Sequence, residues 1–415
     1  MVKKKIINDP LHGFVTIQEP LIAELFQHPW FQRLRHIRQL GLADMVYPGA
    51  GHSRFQHAIG AYHLMGKALD SLRAKGIDIS PEEYTAARTA ILLHDIGHGP
   101  LSHALEETLL PGIHHESLTY RFMLALNEHF QGELDLALRI FRNAYERPFL
   151  HQLVSGQLDV DRLDYLERDS FFTGVREGNI GTARIIDMLN VHKDRLVVEE
   201  KGIYSLENFI TSRRLMYWQV YLHKTAVSAE RMLIHAFRRA ERLARAGALP
   251  GCSEALDFFL RQPASLTDFN NGLRHLETFS RLDDHDIWSA LKAWQSNPDR
   301  VLAMLAGGLV GRKTFRIRMS ERPIRTAELE EKRQAARRSL RLTNQEAAYL
   351  VGHGSVSNEA YVGGEKRLNI LMKDGRVSDL ASVSELPQIQ ALTRVVKKNF
   401  ICYPRELDDA SGKGR

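Results

Sequence analysis

The stretch "LLHDIGHGPLSHA", residues 92–104, sets three histidines and an aspartate directly after a run of apolar residues. The segment leading into it reads "SPEEYTAARTAILLHD". Ser80 suits an N-cap, Pro81 the first helical position, and Glu83 the third position of a capping box. Apolar residues then recur at helical spacing through Ala90, Ile91 and Leu93. Gly97, Gly99 and Pro100 stop the helix, and another is expected to start near Leu101. The pattern predicts a buried helix that delivers His94 and Asp95 at its C-terminal end. A buried imidazole and carboxylate need partners or an ion. Any fold for this chain must therefore bring further polar groups to that point.

Helical spacing dominates from Pro20 to about Ala240 and continues, less patterned, to residue 305. Before it, "KKIINDPLHGFVTI" reads as two short strands around an Asn-Asp-Pro turn. After residue 310 the texture changes. "KTFRIRMS" alternates like a strand, "TAELEEKRQAARRSLRL" reads as a charged surface helix, and "RLNILMKDGRVSDL" as a hairpin around Asp374-Gly375. The expected division is residues 1–305, a catalytic core with an N-terminal hairpin, and 306–415, a smaller α+β lobe with a flexible tail. The last dozen residues, ending "DDASGKGR", read as disordered.

The chain has 415 residues with 44% hydrophobic content, enough for a large core. No apolar run of 18 residues occurs, so no membrane partner is expected. "MVKKKIINDP" is basic but leads into no apolar stretch, so no signal peptide is expected there. Two cysteines, Cys252 and Cys402, suit a reducing cytoplasm better than a disulfide framework. The net charge of +6 favours anionic partners, phosphates or nucleic acid, without choosing between them. Eight of the 19 histidines fall between His52 and His115.

His94 and Asp95 supply one nitrogen and one oxygen ligand. A borderline divalent ion such as Fe, Mn, Co, Ni or Zn accepts such a mixed set. "SRFQHAIGAYHLM" adds His57 on an earlier helix, and "GQLDVDRLDYLERD" adds Asp159, Asp161 and Asp164. One carboxylate from that trio would complete four protein ligands with open positions for water and substrate. Asp161, Tyr165 and Asp169 stand at i, i+4 and i+8, on one helix face. Arg213, Tyr217 and Tyr221 repeat the spacing. Facing a metal, such stripes suit a phosphorylated sugar. Taken singly, each segment has a plainer explanation: a surface histidine, a helix stop, a solvated acidic face, or aromatic packing between helices.

Together, "NDPLHG", "WFQRLRHIRQLG", "YPGAGHSRFQHAIG", "LLHDIGHGPLSH", "HHES", "DVDRLDYLERD" and "RRLMYWQVYLHK" resemble the HD-domain phosphohydrolases. More narrowly they resemble the deoxynucleoside triphosphate triphosphohydrolases, including the animal enzyme with an added sterile-alpha-motif domain. The likeness covers roughly residues 6–240. It implies a mainly α fold, an HD-domain helical core with a smaller C-terminal α+β lobe. It implies metal ligands His57, His94, Asp95 and Asp161, and active-site histidines His98, His103 and His115. Glu106 would orient His103, the expected general acid. Arg54, Arg162 and Arg213 would bind the triphosphate, with Mg as a further ion on the phosphates. Gln39, Tyr165, Asp169 and Tyr221 would hold the deoxyribose. Position 162 is lysine in the animal enzyme, so its contact geometry changes. The likeness also implies a dimer or tetramer controlled by nucleotides at a site matching Gln27, Gln32 and Arg35. Gln27 stands where the animal enzyme reads guanine with an aspartate, so a different regulatory nucleotide is expected.

Two other functions fit parts of the sequence. One is an HD phosphohydrolase acting on nucleoside monophosphates or cyclic nucleotides, which needs the metal set but not the Arg and Tyr stripes. The other is nucleic-acid binding through Arg316, Arg318, Arg322, Arg325, Arg337, Arg338 and Arg341. A P-loop at "GGLVGRKT" is excluded, because Arg312 interrupts the Gly-Lys pair.

Overall fold

The capping box forms as the sequence requires. Ser80 Oγ accepts from the Glu83 amide at 3.1 Å, and the Glu83 carboxylate accepts from the Ser80 amide at 2.9 Å. The helix runs Pro81–Leu93 and His94 is its C-cap. In this computed structural model residues 4–101, 103–248, 251–358, 367–387, 389, 392 and 394–409 are described. The fold is mainly α. The long helix Arg54–Ala74 packs against both Pro81–Leu93 and Val160–Thr173. Gly60 permits the second contact: a Cβ there would lie 1.9 Å from Asp164 Oδ1. The three helices therefore meet close enough for their polar residues to share one point.

The N-terminal strands Lys5–Asp9 and Gly13–Ile17 pair antiparallel, Asp9 opposite Gly13. The turn folds because Asp9 Oδ1 accepts from the amides of Leu11 and His12 at 3.0 and 2.9 Å. Its other oxygen takes Arg168 Nη1 at 2.9 Å, which ties the hairpin to the Val160–Thr173 helix.

The C-terminal region holds a three-stranded antiparallel sheet, with Val396–Tyr403 between Arg316–Ser320 and Gly352–Asn358. The charged helix Thr326–Leu340 forms as expected and lies over a small core of Leu329, Ala336, Ala347, Val351, Ile401 and Tyr403. The hairpin of Asn369–Leu371 and Val377–Asp379 also forms, but it joins a different sheet. Asn369–Leu371 pairs parallel with Arg195–Glu199, Val198 opposite Ile370. Leu350, Leu368, Ile370 and Leu380 are part of the main core. We keep a division near residue 305 as a proposal, with this hairpin as the piece of 306–415 that packs onto 1–305.

Two expectations need correction. The tail is not disordered throughout: Glu406–Asp409 is a helical turn, Leu407 is buried, and Tyr403 Oη donates to Asp408 at 2.8 Å. Residues 410–415 lie outside the described residues. The helix carrying Arg213 does not continue regularly through Tyr221. It ends at Met216, and Tyr217–Tyr221 forms a π-helical turn. The wider turn changes the register of the second stripe. In the basic C-terminal region, Arg316 pairs with Asp408 at 3.3 Å and Arg318 pairs with Glu328.

Two partly buried histidines give the fold a pH response of its own. Burial, with Lys67 and His12 adding to it, pushes His63 down to about 4. Burial and then Arg238, Arg231 and Arg333 push His235 down to about 4. Between the ordinary value of 6.5 and about 4, the unfolded chain takes up protons that these sites refuse. Their contribution therefore lowers stability as pH falls through that window. Replacing both with glutamine is expected to flatten the loss. Urea midpoints at pH 7 and pH 5 test this, and an unchanged difference between the two would count against it.

Candidate active site

Three helices deliver the centre. His57 comes from the first turn of Arg54–Ala74, His94 and Asp95 from the end of Pro81–Leu93, and Asp161 from the start of Val160–Thr173. His57 Nε2 lies 3.0 Å from Asp161 Oδ1 and 3.3 Å from His94 Nε2. His94 Nε2 lies 3.4 Å from the same Asp161 oxygen. Asp95 stands at the edge, its Oδ1 3.4 Å from His94 Nε2. Of the three carboxylates left open by sequence, Asp161 is the one that faces the histidines. Asp159 is the N-cap and accepts from the Arg162 amide at 2.7 Å. Asp164 lies behind His57 and accepts from its Nδ1 at 2.8 Å.

The hydrogen bonds fix both tautomers. His94 Nδ1 faces the Ile91 carbonyl at 2.6 Å, and a carbonyl can only accept. His57 Nδ1 faces a carboxylate that Arg168, His12 and His57 hold well below the usual range against the cost of burial. Both Nδ1 atoms therefore carry the proton, and both Nε2 atoms present lone pairs. Two lone pairs and a carboxylate oxygen converging within 3.4 Å repel unless a cation sits among them. Without an ion, a proton takes that place. Burial opposes charge on His57, but hydrogen bonds to Asp161 and Asp164 outweigh it and lift its pKa up to about 10. The donor set fits a borderline divalent ion.

The surrounding residues are held in turn. Arg54 Nη1 donates to Asp95 Oδ2 at 2.6 Å, and His98 Nε2 lies 3.2 Å from Asp95 Oδ1. Burial, with Arg54 adding to it, keeps His98 far below its ordinary pKa, so it is neutral near pH 7. Its ring stacks on His115 with centroids 3.7 Å apart. His115 Nδ1 donates to Glu106 at 2.8 Å. Glu106 thus orients His115. His103 opens the helix His103–Glu107, and its side chain lies outside the described residues.

A cavity of about 580 Å³ opens on this centre. It is lined by Arg54, Asp95, His98, His115, Asp161 and Arg162 at one end and by Gln39, Tyr165, Asp169 and Tyr221 at the other. Tyr221 Oη donates to Asp169 Oδ2 at 2.8 Å, and His52 Nε2 lies 2.7 Å from Asp169 Oδ1. Gln39 Oε1 is buried and has no partner among the described residues. Arg213 does not line this cavity. It lies under Tyr217, 5.8 Å from the ring, and lines a neighbouring cavity that also contains Arg162. Gln27, Gln32 and Arg35 do not line these cavities. Gln27 donates to Ala23 O, while Arg35 donates to Gln32 at 2.7 Å and stacks on Phe55.

Sequence reasoning missed His12, whose Nε2 lies 2.6 Å from Asp164 Oδ1, and the buried Asp9–Arg168–Asp164 chain behind it. It also missed the pairing of His52 with Asp169. "NDPLHG" contained His12, but nothing local links residue 12 to residue 164.

These features define an HD-domain phosphohydrolase. The HD domain matches residues 54–169 and the HD associated region residues 180–248, and the chain belongs to the HD-domain family. It is 49% identical to a phosphohydrolase of Bacteroides thetaiotaomicron of known structure, with a TM-score of 0.94 over 97% of this chain and 100% of that one. It is 32% identical to YwfO of Bacillus subtilis over 75% of this chain and 71% of that protein. A Dictyostelium discoideum homolog of the deoxynucleoside triphosphate triphosphohydrolase SAMHD1 is 33% identical over 57% of this chain and 49% of its own length. The chain thus spans about half the length of that relative. Among the described residues no helix is long and apolar enough to cross a membrane.

Proposed function

We propose that this protein hydrolyses deoxynucleoside triphosphates to a deoxynucleoside and inorganic triphosphate. The observation that carries the reading is the cavity of about 580 Å³, a usual size for a small-molecule site. One end offers the metal ligands with Arg54 and Arg162; the other offers Gln39, Tyr165, Asp169 and Tyr221. A triphosphate suits the first end and a sugar the second. The SAMHD1 relatives support the same substrate class.

His57, His94, Asp95 and Asp161 would hold a divalent ion of the Fe, Mn, Co, Ni or Zn type, with Mg on the outer phosphates. Bound there, such an ion lowers the pKa of a water and polarises a phosphate oxygen. Water oxygen bonds to the α-phosphorus, the bond to the 5′ oxygen breaks, and that oxygen takes a proton. Arg54 and Arg162 offset charge on the phosphates in the transition state. Arg213 supports Arg162 from the adjoining cavity. The proton comes from a histidine. His103 stays the proposed acid, and His115, oriented by Glu106, can fill the same role. His98 is held neutral by burial and Arg54, and it positions Asp95. Assembly into a dimer or tetramer, cytoplasmic location, and a regulatory nucleotide near Gln27, Gln32 and Arg35 belong to this proposal.

Tyr165 sits in the sugar end of the cavity, its ring 6.1 Å from Tyr221. It would exclude a 2′-hydroxyl. Product analysis on four dNTPs and four rNTPs, with several metals, tests the whole reading. Triphosphate release from dNTPs is expected, with little from rNTPs. Tyr165→Ala should narrow the sugar preference by about 5- to 150-fold, since excluding one small group is worth roughly 1–3 kcal/mol. Orthophosphate as the sole inorganic product, or equal rates on dATP and ATP in wild type, would overturn it.

A further inference from the structure

A second cavity, of about 970 Å³, adjoins the substrate cavity. Its charged lining has one sign: Arg162, Arg195, Arg213 and Arg367, with no aspartate or glutamate among the described residues. The whole chain is nearly balanced, with 56 Lys and Arg against 50 Asp and Glu. Arg162 also meets Asp159 at 3.2 Å, but the lining itself carries four arginines and no carboxylate, and that excess marks an anion site. No phenylalanine, tyrosine or tryptophan lines it, so it offers no platform for a base.

The cavity shares wall residues with the two cavities that open on the metal centre. Arg162 lines both it and the substrate cavity. Asn143, His151 and Ser155 line both it and a third cavity, of about 770 Å³, which opens on His94, Asp95 and Asp161. Its far end is built by sheet pairing. Arg195–Glu199 runs parallel to Asn369–Leu371 with Val198 opposite Ile370. Three residues back along each chain stand Arg195 and Arg367. Both are exposed, and among the described residues neither makes an ion pair. Arg367 Nε donates to the neutral amide oxygen of Asn369 at 3.0 Å.

We propose that this groove binds a linear inorganic oligophosphate, and that the triphosphate formed at the metal centre leaves along it. The second clause rests on the dNTP-hydrolysing reading. A triphosphate freed beside a metal ion and Arg54 carries several charges and would dissociate slowly into water. Arginine forks pair with phosphate oxygens two at a time. A path from Arg162 and Arg213 to Arg195 and Arg367 hands the chain outward without leaving its charge unpaired. The nucleoside, which is uncharged, leaves by the mouth it entered. Product release limits many enzymes, so such a path has kinetic value.

The test is calorimetric titration of metal-loaded wild type and an Arg195→Gln/Arg367→Gln double variant with inorganic tripolyphosphate, orthophosphate and a non-hydrolysable dNTP analogue. Both residues are exposed, and thermal melts check that the fold is kept. The double variant is expected to bind tripolyphosphate at least tenfold more weakly, with orthophosphate and the analogue changed less than twofold. Tripolyphosphate affinity within twofold of wild type would overturn the proposal. An equal loss for the analogue would assign the groove to a nucleotide's phosphate tail and overturn the inorganic assignment. The titration uses no turnover. If dNTPs are not hydrolysed but tripolyphosphate binding still depends on the two arginines, the groove stands and the activity reading falls. If dNTPs are hydrolysed and binding does not depend on them, the groove falls alone.

Discussion

Asp161→Ala is expected to strip the divalent ion and to slow phosphoester hydrolysis by at least about 1000-fold, roughly 4 kcal/mol in the barrier. The size follows from the donor set. Among the described residues Asp161 supplies the one carboxylate oxygen within 3.4 Å of both His57 Nε2 and His94 Nε2. Without it the ion would rest on two neutral imidazoles and on Asp95, whose oxygens already meet Arg54 and His98. The fold should survive. The Asp161 side chain is 29% exposed, and the Val160–Thr173 helix keeps its Asp159 cap. Ligands of a catalytic ion contribute less to folding than those of a structural one. Elemental analysis of the purified variant decides the matter: a full complement of metal would remove Asp161 from the ligand set.

The site was legible where chemistry is written in adjacent residues. The capping box and the glycines around His98 fixed where the Pro81–Leu93 helix starts and stops, and hence where His94 and Asp95 stand. Asp161, Tyr165 and Asp169 share a helix face and do line one cavity. The second stripe was legible only in part. Backbone hydrogen bonding widens into a π turn at Tyr217, and no residue type announces that. Arg213 consequently faces a different cavity from Tyr221. Contacts between distant segments were not legible at all. The parallel pairing of Arg195–Glu199 with Asn369–Leu371 joins strands about 170 residues apart by backbone bonds that any sequence can make. The docking of Glu406–Asp409 depends on Leu407 finding a pocket beside Tyr403, while the composition around it reads as disordered.

The largest stability effect is expected at Arg168. Its guanidinium is fully buried between two carboxylates, Asp9 at 2.9 Å and Asp164 at 2.8 Å, which are themselves 3% and 0% exposed. A buried ion pair adds little against a well-packed apolar substitute, but removing one partner strands the other. Arg168→Ala would strand two carboxylates in one place. The expected loss is on the order of 3–5 kcal/mol in unfolding free energy, read from urea denaturation. The same change should reach the metal centre. Asp164 accepts from Arg168 Nε and Nη2, from His12 Nε2 and from His57 Nδ1, so it sets the ring orientation of a ligand. Metal affinity should fall by roughly 10- to 100-fold, as when second-layer partners of a ligand are lost. Arg168→Lys keeps the charge but not the fork that spans both carboxylates, and should lie between wild type and alanine. Because Asp9 belongs to the N-terminal hairpin, the alanine variant should also free residues 4–17 to proteolysis before the rest of the chain unfolds. An unfolding free energy within 1 kcal/mol of wild type would mean the two carboxylates take up protons at little cost, and that the hairpin is held by its apolar face alone.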